Sequence, residues 1–368
     1  MSIQNTLFPT AIITLFTISL VYCQPSQKGT VDSTRSSIKG VVDKLVAPLF
    51  SGPKRVNGLV VGVIRGDTKE VFGYGDIGQS RGNTPNGETE FKIASVTKPL
   101  TALLLAKFVV QGKLALEDPV NQCSSTFSSS LCFNGKPVTF FQLATHTSGL
   151  PVVPPNMDQE ATEYSMADFR RFLANYSINR EPGSRFEYST VGYAVLGMFL
   201  AEKCGVENFE SCLAKEVLEP LQMTSTTFDV RGAVGHSKGS ITRHRKGRVA
   251  FRASGGLWST TNDLLKLVSA NLQPKSHPNL SDAIALTHQT YADIPTFQGS
   301  ISALGWQFLV AFHAYWHSGV TSDSRAFVTF NLQKNCGVVM LANTGLQATD
   351  TRIELAGFSI MAALGSLR

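Results

Sequence analysis

Apolar residues recur at helical spacing from Ser33 to Leu49, and the pattern then changes period. GLVVGVIRG, Gly58 to Gly66, followed by KEVFGYGDIG, predicts a two-strand ribbon. From Leu100 to Leu286 the predicted elements are mostly helices: Leu100 to Val110, Met166 to Tyr176, Val191 to Lys203, Phe209 to Leu218 and Thr261 to Leu272. Loops rich in Pro, Gly and Ser separate them. Strands return over Gly305 to Phe312, Ala326 to Asn331 and Gly337 to Ala342, and Thr351 to Leu364 reads as a closing amphipathic helix. Sheet, helices, then sheet again predicts a mostly helical region, about 96–289, inserted into a mixed sheet lobe formed by about 30–95 and 290–367. A cleft between the two parts follows from that order.

One further apolar run, Thr10 to Tyr22, is too short to span a bilayer comfortably and ends in small or polar residues. It reads as a secretory signal occupying 1–23, ahead of a folded region over 30–367; an uncleaved membrane anchor is the alternative. Six cysteines agree with export. Cys123 and Cys132 bracket a serine-rich loop and Cys204 and Cys212 bracket a turn, so each pair is expected to close a short disulfide ring. Cys23 would leave with the signal or sit at its edge, and Cys336, in the strand-like CGVVML, is expected to remain a buried thiol. Asn175 in NYS and Asn279 in NLS are glycosylation acceptors in a eukaryotic host. No CxxC or HExxH pair supports a metal site.

The 368 residues are 43% hydrophobic and 16% charged, the balance of a globular chain with enough material for a large core. Net charge is +6, with one dense basic cluster at Arg243, His244, Arg245, Lys246 and Arg248. The cluster is short, lies beside Gly247, and lacks interleaved aromatics or a reader motif, which argues against nucleic acid as a partner.

In FKIASVTKPL, Phe91 to Leu100, Ser95 and Lys98 stand three apart where a helix is predicted to begin, so they share a face and can touch. Pro99 fits a first helical turn. A serine there gains from unpaired amide hydrogens that favour negative charge on an attacking oxygen, whereas a lysine is mildly disfavoured by the dipole. Alone, the SxxK spacing is equally that of a capping serine and a lysine reaching water. Its company is more telling: ATHTSGLP at Ala144 to Pro151, PGSRFEYSTVGYAVLG at Pro182 to Gly197, ASGGLWSTTNDLLKL at Ala253 to Leu267, LGW at Leu304 to Trp306 and WHSG at Trp316 to Gly319.

In that order the motifs resemble the serine beta-lactamase-like family of class C beta-lactamases, penicillin-binding D-alanyl-D-alanine peptidases and related esterases, most of all its carboxypeptidase/endopeptidase branch. The resemblance runs from about Val60 to Asn343. It implies an α/β (α+β) fold of the beta-lactamase/transpeptidase type, an antiparallel sheet flanked by helices, and neither metal nor organic cofactor. It also implies roles: Ser95 as acyl-forming nucleophile, Lys98 as its proton-accepting partner, and Tyr188 as the group that shuttles the proton to the leaving group and later activates water, with either Lys98 or an ionised Tyr188 as the resting base. The backbone amides of Ser95 and Val320 would form the oxyanion site, with Thr190, His317, Ser318 and Gly319 against the substrate. Using Lys98 as a base near neutrality asks for a downward shift of about 3 pH units from a starting value of ~10.4.

Two positions depart from the family pattern. The tyrosine motif usually ends in Asn but here reads Tyr188, Ser189, Thr190, so a hydroxyl replaces the amide that would orient Lys98. His317 stands where many relatives keep a lysine, and an unperturbed imidazole, with pKa about 6.5, would carry little charge above neutrality and gain it toward pH 6. His146 is expected to hold loops together. GHSKG, Gly235 to Gly239, matches the nucleophile-elbow pattern at Ser237, but the charged SITRHRKGR after it offers no helix for that motif. The expectation is a secreted serine hydrolase forming an acyl-enzyme on a D-amino-acid peptide or a carboxylic ester; the alternative is a catalytically quiet binding or self-assembling scaffold.

Overall fold

A computed structural model describes residues 37–367, apart from 53–54, 79–82, 122–127, 156, 158–163, 207, 230–231, 238–239, 243–247, 298 and 346–349. The expected signal, Cys23, Cys123 and most of the basic cluster lie outside the described residues.

Eight strands form the main sheet: β1 (Gly58–Arg65), β2 (Thr68–Gly75), β3 (Thr290–Pro295), β4 (Ser300–Ala303), β5 (Gln307–Leu309), β6 (Ala314–Val320), β7 (Arg325–Asn331) and β8 (Cys336–Ala342). Their order is β2-β1-β8-β7-β6-β5-β4-β3, with every neighbouring pair antiparallel, so the sheet is not mixed. The first and last strands of the main sheet in sequence, β1 and β8, lie side by side near one edge, where Leu59 pairs with Ala342 and Arg65 with Cys336. β1 and β8 read as nearly continuous apolar runs, and β7 is buried along its whole length, because both faces of the sheet are covered. Val60, Val328 and Leu341 pack with Leu100 and Leu265 of the helical region. Val61, Phe327 and Met340, pointing the other way, pack with helices α1 (Ile38–Val46) and α10 (Arg352–Ser366).

Between the strand sets lie α2 (Thr97–Val110), α3 (Phe140–Ala144), α4 (Met166–Asn175), α5 (Thr190–Cys204), α6 (Phe209–Leu213), α7 (Arg252–Gly255), α8 (Thr261–Leu272) and α9 (Ser281–Thr287). α2 is buried along every residue from Thr97 to Phe108, the position a helix without a polar face must take. Thus Lys98 enters the interior by virtue of the helix that carries it.

Three predicted elements differ. Gly305 to Phe312 is not one strand: Gly305 turns the chain at φ 79°, β5 follows for three residues, and Val310–Phe312 forms a 3-10 turn. The helix expected over Phe209 to Leu218 gives way after Leu213 to a π turn, Ala214–Leu218. Ser95 sits in a 3-10 turn, Ala94–Val96, just ahead of α2. Cys204 and Cys212 are bonded with Cα atoms 6.1 Å apart, Cys132 is in a disulfide, and Cys336 is a buried free thiol. Asn175 and Asn279 are both exposed. No helix among the described residues is long and apolar enough to cross a membrane.

Candidate active site

Ala94 adopts φ 45°, a left-handed conformation that is costly for a residue with a side chain and that turns the backbone sharply just before Ser95. Surrounding bonds hold that turn. Thr97 Oγ1 donates to the Ala94 carbonyl at 2.7 Å, Ile93 N–H donates to Leu257 O at 3.0 Å, and Ser324 Oγ donates to Lys92 O at 3.0 Å. Helix geometry then brings Lys98 Nζ to 3.0 Å from Ser95 Oγ.

Lys98 is fully buried, and burial lowers its pKa from 10.5 to about 7. The expected orienting partner, Thr190, has its backbone N–H on Val152 O, and no bond from Lys98 reaches its hydroxyl. Instead Lys98 Nζ donates to the main-chain carbonyl of Ser254 at 2.7 Å. The preceding carbonyl, Ala253 O, accepts from Thr101 Oγ1 at 2.7 Å, tying α7 to α2. ASGGLW therefore contributes a carbonyl that sequence reasoning missed, since any residue type supplies one.

Tyr188 is clamped from both sides by the HTSGLP segment. Glu187 N–H donates to His146 O at 2.8 Å, Ser189 N–H to His146 Nδ1 at 3.0 Å, and Ser189 Oγ to Pro151 O at 2.7 Å. The His146 ring lies 4.4 Å from that of Tyr188, tilted 31°. Burial, with the Lys98 and His317 sites next, holds His146 well below the ordinary imidazole value. It is neutral, and supports rather than titrates. Ser95 beside it favours the ionised form of Tyr188, yet burial dominates and raises its phenol far above the usual 10. Its ring centre is 4.9 Å from Lys98 Nζ. One serine, one free amine and one neutral phenol thus converge on a single point.

β6 forms the facing wall. Its pairing with β5 ends at Trp316, so among the described residues His317 to Val320 has a strand partner only in β7. A Cβ on Gly319 would lie 2.0 Å from Ile93 O and 3.2 Å from Ser95 N, which measures how closely this strand passes the nucleophile's turn. Ser318 and Val320 flank that contact. His317, 4% exposed, donates from Nδ1 to Ser318 O at 2.8 Å. Burial, then the Lys98 charge, pushes its pKa down to about 3. The expectation that His317 gains charge toward pH 6 therefore fails: it is a neutral imidazole throughout that range. Ser237 lies in a short strand, Gly235–Ser237, paired with Ser240–Thr242, and a hairpin supplies no nucleophile elbow.

Residues 40–356 match the Beta-lactamase family model. The chain belongs to the beta-lactamase family. Its fold is that of a class C beta-lactamase, with a TM-score of 0.77 at 22% identity, covering 92% of this chain and 99% of that one. A mutant class C beta-lactamase gives 0.75, also at 22% identity, over 91% and 100% of the two chains. Among curated relatives, Protein flp of Staphylococcus aureus (strain COL) is 26% identical over 77% of this chain, which spans 58% of that relative's length. The D-alanyl-D-alanine-carboxypeptidase/endopeptidase AmpH of Escherichia coli (strain K12) is 24% identical over 82% of this chain and 83% of its own. The family to which the match assigns the chain is that of the beta-lactamase-like serine hydrolases.

Proposed function

We propose that this protein is a secreted serine hydrolase that forms an acyl-enzyme at Ser95 and acts on a carboxylic ester or small amide. The observation that carries the reading is the buried Lys98 amine, 3.0 Å from Ser95 Oγ, with a pKa near 7. A serine hydroxyl is a weak nucleophile until a neighbour takes its proton, and more than half of the Lys98 amines are free to do so at pH 7.5. Tyr188, neutral and beside Ser95, then passes a proton to the leaving group. The amides of Ser95 and Val320, on two segments packed in contact, would stabilise the tetrahedral oxyanion. Export agrees with the Cys204–Cys212 disulfide.

Treatment with a fluorophosphonate tests the assignment: intact mass should rise by one adduct in the parent and in Ser237→Ala but not in Ser95→Ala. Labelling that persists in Ser95→Ala overturns it.

A further inference from the structure

The side of the cleft that receives the leaving group has a chemistry of its own. Tyr188 hands a proton to the departing atom, so side chains beside Tyr188 and His317 face the leaving group. His317 donates from Nδ1 to Ser318 O, which leaves Nε2 as a bare acceptor. The titratable groups around this ring are Lys98 on α2 and His146 and Tyr188 on the clamped loops. Arg325, on the neighbouring strand, is engaged with Glu354 at 3.0 Å and supplies no free charge.

Aromatic rings surround the same place. Phe297, in the turn between β3 and β4, lies 5.9 Å from Tyr188, 5.4 Å from Phe186 and 6.4 Å from Trp316. Phe186 also meets His146 edge-on at 5.7 Å. Phe186 and Phe297 are each only half-buried, so both keep ring surface open beside the tyrosine. A free carboxylate brought here would lose water without gaining a cation at 317, and would face an imidazole lone pair. An uncharged aromatic or bulky apolar group would bury against the rings.

We propose that the leaving-group side of this cleft selects neutral, aromatic or bulky apolar alcohols, with His317 and Phe297 as the residues that set the preference, and excludes leaving groups that carry a carboxylate. The proposal rests on the serine-hydrolase reading and narrows it to esters of such alcohols. The acyl group passes to Ser95 Oγ as the ester C–O bond breaks, the alcohol leaves with the proton delivered through Tyr188, and water then releases the acid.

Three butyrate esters with leaving alcohols of similar basicity separate the terms: ethyl, 2-phenylethyl and 2-(3-carboxyphenyl)ethyl. In the parent, kcat/KM for the phenylethyl ester should exceed that for the ethyl ester at least tenfold and that for the carboxylated ester at least tenfold. The latter ratio should stay flat from pH 6 to 8, because His317 does not gain charge there. His317→Lys should bring it down tenfold or more, while His317→Gln leaves it near the parent's. Phe297→Ala should erase the phenylethyl advantage over ethyl. A parent that turns over the carboxylated ester equally well or better, or whose discrimination fades toward pH 6, overturns the proposal even if a lysine variant does not fold. Hydrolysis that survives in Ser95→Ala sinks the underlying reading instead.

Discussion

Lys98 sits in an interior where its charged form is penalised, and the penalty is also a stability effect. Its pKa is about 7 in the fold, against an ordinary lysine value of 10.5. Between these values the unfolded chain binds a proton that the native state does not, so stability rises with pH across that window; below about pH 7 the cost is present in full. At about 1.4 kcal/mol per pH unit the cost is on the order of 5 kcal/mol. Lys98→Met, similar in volume and uncharged, should therefore abolish ester turnover and raise unfolding free energy at pH 6 by roughly 2–5 kcal/mol. Urea denaturation of the two proteins checks this, and a variant less stable than the parent would show that the Ser254 and Ser95 contacts outweigh the desolvation. None of this was readable from SxxK, because a spacing says nothing of burial. Likewise His317 was legible as a position in WHSG but not as a neutral group, since its protonation is set first by burial and then by Lys98, more than two hundred residues away in sequence.

At the level of elements, the site depends on β6 lying against the 3-10 turn that carries Ser95. Gly319 makes that approach feasible, as a Cβ there would meet the Ile93 carbonyl at 2.0 Å. Gly319→Ala must push strand and turn apart. The expected loss is about 1–3 kcal/mol in stability and about 100-fold in the rate of Ser95 acylation, measured by denaturation and by fluorophosphonate labelling kinetics. Acylation at the parent rate would mean the two segments are not the paired walls of one site. Elements were the most legible scale. α8 runs from Thr261 to Leu272, the bounds its periodicity predicts, with the Thr260 side chain accepting from Asp263 N–H at its start, and β1 and β8 fall within predicted strand segments although their apolar runs do not alternate. The strand-turn-strand around Gly305 was not legible: LGW reads as more strand, and only packing of that turn on α2, where Gly305 faces Ala102 and the Lys98 carbonyl, breaks it. The tie between HTSGLP and the tyrosine motif is likewise tertiary, built from bonds between residues about forty apart.

Over the whole molecule, the helical region holds together through one large apolar core, with the Cys204–Cys212 bond joining the end of α5 to α6. The bond closes a loop with a sequence separation of 8, for which the chain-entropy contribution is about 2–3 kcal/mol. Replacing both cysteines with serine should lower unfolding free energy by that amount while leaving ester turnover at 25 °C near the parent's, since neither residue is part of the site around Ser95. A variant as stable as the parent in urea would show that the bond adds nothing to the native state.

The account's central claim is that a neutral Lys98 amine activates Ser95. Its most direct test is the pH dependence of kcat/KM for an uncharged ester, which reports the groups titrating in the free enzyme. Neither imidazole at the site can supply a limb near neutrality, as His317 is pushed down to about 3 and His146 is held well below the ordinary value. The account predicts a single rise with a midpoint near pH 7, then a plateau to pH 10 because the Tyr188 phenol stays protonated. A rate that keeps climbing to pH 10 would show that Lys98 remains charged in the resting enzyme, and one without a limb between pH 6 and 8 would show that no titration near neutrality governs acylation; either result would contradict the claim.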